Sequence, residues 1–359
     1  MDRNLGTYYF LGANSSKGFY SLYDDFVSSA KGDFLWAVKG GPGCGKSSFM
    51  RKIASAAEAA GLQVEYILCS GDPKSLDGIY IPARRTAYVD ATSPHVMEPD
   101  FPAASSMYLD LGVFYNSEGI KGYLPELMAN SKQYKAMYAR AYGIIAAAQA
   151  VAPWRIPGLV GEDDLDAVLR RAGSIILREL GKKRPGQGKE KKRFISAFTC
   201  DGDIFCEETV AKLCARVYTL DNEYGLAHVF LDEVRRAASD RMLSAVICPS
   251  PINPDKLEAV LIPELSLGFL ASDSRNGFSG KVYRHVRLDA LIDRQRLKVN
   301  RIEIRRAARR YKELMEDAGN ILADAKVMHD DLERIYNPHV DFDGVYELCS
   351  KHIAGLEFI

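Results

Sequence analysis

Short apolar runs of strand length alternate along this chain with segments whose apolar residues recur at helical spacing. In the first half, runs near residues 7 to 12, 34 to 39, 63 to 69 and 86 to 90 read as strands. Segments near 46 to 60, 131 to 151 and 163 to 181 read as helices. The alternation then returns, with strands expected near 193 to 198, 216 to 220, 243 to 248 and 266 to 271, and helices near 226 to 240, 287 to 335 and 339 to 355. Strands that alternate with helices predict an α/β fold, its sheets mostly parallel and covered by helices on both faces.

The return is a duplication. "FLGANSSKGF" from Phe10 resembles "FISAFTCDGD" from Phe194, "PKSLDGIYIP" from Pro73 resembles "PDKLEAVLIP" from Pro254, and "YKAMYARAYGIIAAA" from Tyr134 lies over "YKELMEDAGNILADA" from Tyr311. "LDAVLRRA" from Leu165 falls on "FDGVYELC" from Phe342, so the matches keep one order from end to end. Residues 1–182 form the first unit and 193–359 the second, joined by a Pro/Gly/Lys linker at 183–192; each unit is expected to close with its own helical hairpin.

Chemistry enters at "GGPGCGKSS". From Gly40 to Ser47 it satisfies G-x-x-x-x-G-K-[ST], between the apolar run "FLWAV" and a helical segment. This is the context in which glycines turn successive N–H groups toward phosphate oxygens and the helix dipole adds positive potential. Gly41, Pro42, Gly43, Cys44, Gly45, Lys46, Ser47 and Ser48 are therefore the candidate phosphate-binding residues. Lys46 would reach the β- and γ-phosphates and Ser47 would ligate a magnesium ion. Asp90, closing the apolar run of "RRTAYVDATSPH", is the candidate second metal ligand. No Glu follows it to polarise water. His95 is a candidate base or γ-phosphate sensor, Asp72 a candidate acceptor-positioning acid, and Arg84 and Arg85 candidate partners of transition-state charge. Cys44 is read as a small backbone donor.

The second copy lacks this constellation. Its loop, "LDNEYGLAHVF" at 220 to 230, has no Lys-Ser pair and places Asp221 and Glu223 where phosphates would sit; Ala271 stands for Asp90. One competent nucleotide site per chain is the expectation.

Composition narrows the partners. Forty-seven basic residues balance 47 acidic ones among 359, so no global field draws the chain to nucleic acid or an anionic membrane. The basic run "RQRLKVNRIEIRRAARR" reads as a solvated helix packed on its hairpin partner, since acidic residues resume at once and no stacking aromatics are interleaved. Seven cysteines without C-x-x-C spacing point away from disulfides and zinc, toward a reducing cytoplasm. The N-terminus lacks a signal layout and the apolar stretch "YGIIAAAQAVAPW" is too short to span a bilayer.

"GANSSKGF", "KGGPGCGKSS", "SLDGIYIP" and "VDATSPHVMEP" together resemble a family of bacterial tandem P-loop NTPases, found mainly in Gram-positive bacteria and labelled ATPases or ATP-binding proteins. The resemblance covers nearly the whole chain. It implies P-loop-like sheets in tandem and ATP as cofactor; a second glycine loop, frequent in that family, is lacking here. The leading expectation is a magnesium-dependent ATP-binding protein with slow ATPase activity. The alternatives are a P-loop kinase acting on a small molecule or nucleotide, and a non-catalytic sensor that binds a partner through the degenerate half. ATP against another nucleoside triphosphate, the protein or small-molecule partner, and homo-oligomerisation are left open.

Overall fold

The computed structural model describes residues 6–93, 97–185, 188–275 and 277–356. The first half contains β1 (Thr7–Phe10), β2 (Gly12–Ser15), β3 (Gly18–Ser21), β4 (Phe34–Lys39), α1 (Lys46–Ala59), β5 (Glu65–Leu68), β6 (Leu76–Ile81), β7 (Thr86–Asp90), β8 (Ser106–Asp110), α2 (Ser117–Lys121), α3 (Leu124–Val151) and α4 (Glu162–Glu179). The second contains β9 (Glu190–Lys192), β10 (Ser196–Thr199), β11 (Gly202–Phe205), α5 (Glu207–Leu213), β12 (Arg216–Asp221), α6 (Ala227–Asp240), β13 (Ala245–Pro249), β14 (Leu257–Ile262), β15 (Leu267–Ser272), β16 (Arg284–Val286), α7 (Arg294–Val299), α8 (Arg301–Tyr336) and α9 (Phe342–Gly355).

Two six-stranded sheets carry the duplication. The first runs β1-β5-β6-β7-β4-β8; the second, read from its far edge, runs β9-β13-β14-β15-β12-β16, so each strand has a counterpart at the same place. The sheets are parallel-rich, not uniformly parallel. β6 is antiparallel to both β5 and β7, and β14 to both β13 and β15. The reason is loop length: Cys69–Ser75 is too short for a crossover and turns the chain straight back, and a one-turn 3₁₀ helix closed by Arg85 at φ 51° reverses it again. The hairpins β2–β3 and β10–β11 and the edge strands β8 and β16 are also additions to the expected set.

The helices do not form a hairpin within each half. α3 lies along α8, so the long charged helix packs on a partner from the other half. α4 packs on α6, placing Val168, Ala172, Ile175 and Ile176 in a core with Tyr218, Phe230 and Phe269. Reciprocally, α9 packs on α1 and adds Val345 and Cys349 to the core of Val38, Phe49, Met50 and Ile53. Residues 1–182 and 193–359 are thus units of chain order whose closing helices are exchanged. The segment 287 to 335 is broken as well: Asp293 caps α7 by accepting from Arg296 N, and the helix restarts after Asn300. The arginines Arg305, Arg306, Arg309 and Arg310 on α8 are exposed, as expected of a solvated face.

The halves share one core. Tyr9, Phe10 and Leu11 pack with Phe194, Ile195, Val246 and Leu261. Phe10 and Phe194, equivalent residues of the repeat, exchange both backbone hydrogen bonds at 2.9 Å, so the local two-fold relation passes between them. Among the described residues no helix is long and apolar enough to cross a membrane.

Candidate functional site

β4 lies between β7 and β8, parallel to both, and delivers the glycine loop at its C-terminal end. Gly40, Gly43 and Gly45 have φ of 146°, 71° and 85°, values that permit the loop to curl before α1 begins at Lys46. The β4–β7 register sets Val38 beside Asp90, which brings the Asp90 carboxylate to the same edge. Lys46 Nζ lies 3.5 Å from Asp90 Oδ2 and donates to the carbonyls of Gly40 and Gly41 at 2.9 Å each. Both side chains are largely withdrawn from water, Lys46 at 12% and Asp90 at 15% exposure, so the pair is stronger than a surface ion pair. Asp90 Oδ1 also accepts from Thr92 N and Oγ1, at 3.0 and 2.5 Å, which fixes the carboxylate plane.

Ser47 Oγ accepts from Leu76 N at 3.0 Å, tying the start of α1 to β6. Ser48, beside it, is exposed. Cys44 is buried, and burial raises its thiol pKa, which suits a packing and backbone role better than a nucleophile. Asp72 is at the same end of the sheet, with Oδ1 accepting from Lys74 N at 3.0 Å and Oδ2 lying 3.4 Å from Lys326 Nζ of α8. Arg84 and Arg85 are not part of the site. They occupy the opposite end of β7, where the Arg85 carbonyl accepts from Phe34 N and its guanidinium lies 3.5 Å from Asp33. His95 lies outside the described residues.

The structure adds residues that local reading could not reach. Asp77 lies on β6 at the register shift where the strand pairs with β5, next to Gly78, the residue paired with Val89 of β7. It is buried and accepts from Tyr23 OH at 3.3 Å; burial and then this carboxylate push the Tyr23 phenol well up. Its signal was an acid inside an apolar strand, matched by Glu258 in the repeat. From the second half, Asn337 at the end of α8 donates its amide to Gly43 O at 2.9 Å and Glu333 O at 3.3 Å. Phe342 and Val345 of α9 lie over Gly45, and Tyr115 OH donates to Pro42 O at 2.7 Å. A hydroxyl oxygen from Ser47 and a carboxylate oxygen from Asp90 are donor types that suit a hard cation such as magnesium.

A side chain at position 43 would meet two obstacles, a left-handed backbone and the Asn337 amide 2.2 Å from its Cβ. Gly43→Ala is expected to lower thermal stability, with about 1–2 kcal/mol from the backbone alone, and to weaken nucleotide binding. Adding Asn337→Ala should recover the steric part. Unchanged melting and affinity in the single variant would contradict this placement of the loop.

The second half repeats the geometry without the chemistry. α6 starts at Ala227 as α1 starts at Lys46, and Leu220 pairs with Ala271 as Val38 pairs with Asp90. The connecting loop, Asn222 to Leu226, is one residue shorter than Gly40 to Gly45. Asp221 is paired with His285 at 2.7 Å and Glu223 accepts from Ser274 N at 2.6 Å. Glu258, at the register shift of β14, accepts from Ser196 Oγ at 2.6 Å; burial raises it to about 8. Because the unfolded chain releases this proton near pH 4.3, stability falls as pH rises from there and levels off above about 8. Glu258→Gln should flatten that part of the profile in denaturant titrations between pH 5 and 8; an unchanged slope would contradict the assignment.

Comparison with protein-family models, with curated proteins and with solved structures finds no match to this chain.

Proposed function

We propose that the first half binds a magnesium–nucleoside triphosphate, ATP in the leading case, and hydrolyses it slowly, with the occupied loop changing how α8 and α9 pack on it. The observation that carries this reading is the meeting of Lys46, at the start of the helix that the glycine loop opens, with Asp90, at the end of the strand parallel to β4. The loop N–H groups and the α1 terminus would hold the phosphates. Lys46 would exchange the carbonyls of Gly40 and Gly41 for β- and γ-phosphate oxygens. Ser47 and Asp90 would hold magnesium, which would supply charge neutralisation for the phosphates.

Slow turnover follows from what surrounds these groups. Ala91 stands where a water-polarising Glu would, and Asp72 is engaged by Lys326. The kinase reading is weakened by the distant placement of Arg84 and Arg85. The sensor reading has one specific support, the contact of Asn337, Phe342 and Val345 with the loop, through which the second half would register its state.

Phosphate release by the purified chain separates the readings. Slow release of free phosphate without an added acceptor is the ATPase result; binding without turnover is the sensor result and would overturn the hydrolysis claim. Asp90→Asn is expected to keep magnesium-free nucleotide binding and lose the magnesium-dependent increment. If magnesium still strengthens binding equally in that variant, Asp90 is not the metal ligand.

A further inference from the structure

We propose that the second half carries its own ligand site, for a small molecule with a single anionic head group, phosphate or carboxylate, recognised by Lys256 and His228. The place is a cavity at the degenerate loop, where the first half has its glycine loop, lined by Asn222, Gly225, His228, Lys256, Glu258 and Trp154 among others. Its volume of about 80 Å³ suits a small head group. Ala227 and Ala271 have removed the lysine and carboxylate that a magnesium triphosphate needs.

A different lysine has taken up the position. Lys256, on the turn before β14, brings Nζ over the loop, 3.1 Å from where a Cβ on Gly225 would stand. Gly225, at φ 75°, leaves room for that ammonium and for Trp154, whose Cβ lies 3.3 Å from the same point. Among the described residues Lys256 Nζ makes no ion pair or hydrogen bond, although the side chain is half-buried; burial and then Arg155 lower its pKa. A desolvated ammonium without a counter-ion is costly, and an anion in the cavity would offset that cost.

His228 supplies a second donor. Its Nδ1 accepts from Leu257 N at 3.1 Å, so the neutral ring carries its proton on Nε2, and burial followed by Lys256 keeps the ring neutral. The acids of the lining are held by other lining residues. Asp203 is paired with Arg275, Asp273 accepts from Arg275 N at 3.0 Å and Asn222 Nδ2 at 3.4 Å, and Glu258 accepts from Ser196. Trp154, edge-on to Tyr311 at 5.2 Å, forms the apolar wall for the rest of the ligand.

The chain has two tryptophans, so Trp36→Phe leaves Trp154 as the sole reporter. In the full chain carrying Trp36→Phe and Lys46→Ala, which silences phosphate binding in the first half, glycerol 3-phosphate and lactate are titrated separately against Trp154 emission. The expected result is a saturable one-site change with one of them, naming the head group. That affinity should fall roughly tenfold or more in Lys256→Gln and persist in Lys256→Arg. His228→Gln should weaken it too, and serves if Lys256→Gln fails to fold. No saturable change with either probe, or equal affinity with and without Lys256, overturns the proposal. The binding of a non-hydrolysable ATP analogue to Lys256→Gln with Lys46 intact should match the parent, so failure of this site and failure of the first-half nucleotide site are read separately.

Discussion

Replacing Lys46 by alanine should weaken binding of a magnesium–ATP analogue by roughly two orders of magnitude. The ammonium contacts the carbonyls of Gly40 and Gly41, the Asp90 carboxylate and the Cys44 sulfur, in a setting where it is 12% exposed. On nucleotide binding these would be exchanged for charge-assisted bonds to phosphate, each worth about 1.5–3 kcal/mol, and about 1.4 kcal/mol is tenfold in affinity. Deletion also removes the ammonium that lies 3.5 Å from the Asp90 carboxylate. Ala227→Ser, at the equivalent position in the second half, should leave the same titration unchanged. Calorimetry on both variants checks the pair of outcomes, and equal losses would contradict a single competent half.

The largest effect on stability is expected at Arg193. It is 1% exposed, yet its guanidinium is fully engaged: Nε and Nη2 reach Glu65 Oε2 at 3.4 and 3.2 Å, Nη1 donates to Lys192 O at 2.7 Å, and the ring of Phe26 lies 4.8 Å away. Glu65 belongs to β5 of the first sheet, while Arg193 follows β9 of the second, so the bridge spans the halves beside the Phe10–Phe194 pairing. Arg193→Ala would strand Glu65 in the core with Lys191 as its remaining cation. Breaking a buried pair from one side costs about 3–5 kcal/mol. Combining Glu65→Leu with Arg193→Met should recover most of that loss, because the desolvation of two charges is removed with the bridge. Denaturant midpoints of the single and double variants test this; an unshifted midpoint in Arg193→Ala would show that the bridge does not hold the halves together.

The parts of this architecture legible in the sequence are those written locally. The glycine loop, the helix it opens and the run ending in Asp90 each sit within one short segment, and the duplication is visible because both copies keep the order of their segments. β6 escaped because Asp77 and Gly78 interrupt its apolar pattern, and with it went the antiparallel insertion. The exchange of α4 and α9 was not legible for a different reason. An apolar stripe such as Val168, Ala172 and Ile175 specifies that a helix is buried on one face, and either sheet satisfies it. The contacts of Lys326 with Asp72 and Asn337 with Gly43 depend on α8 packing along α3 of the other half, so they became visible only with the tertiary structure.

The central claim is one competent nucleotide site in a chain built from two copies of one design. Calorimetric titration of the full chain with a non-hydrolysable ATP analogue and magnesium measures it directly. The account predicts a stoichiometry of one, lost in Lys46→Ala and untouched in Ala227→Ser. A stoichiometry of two, or binding that survives the loss of Lys46, would contradict it.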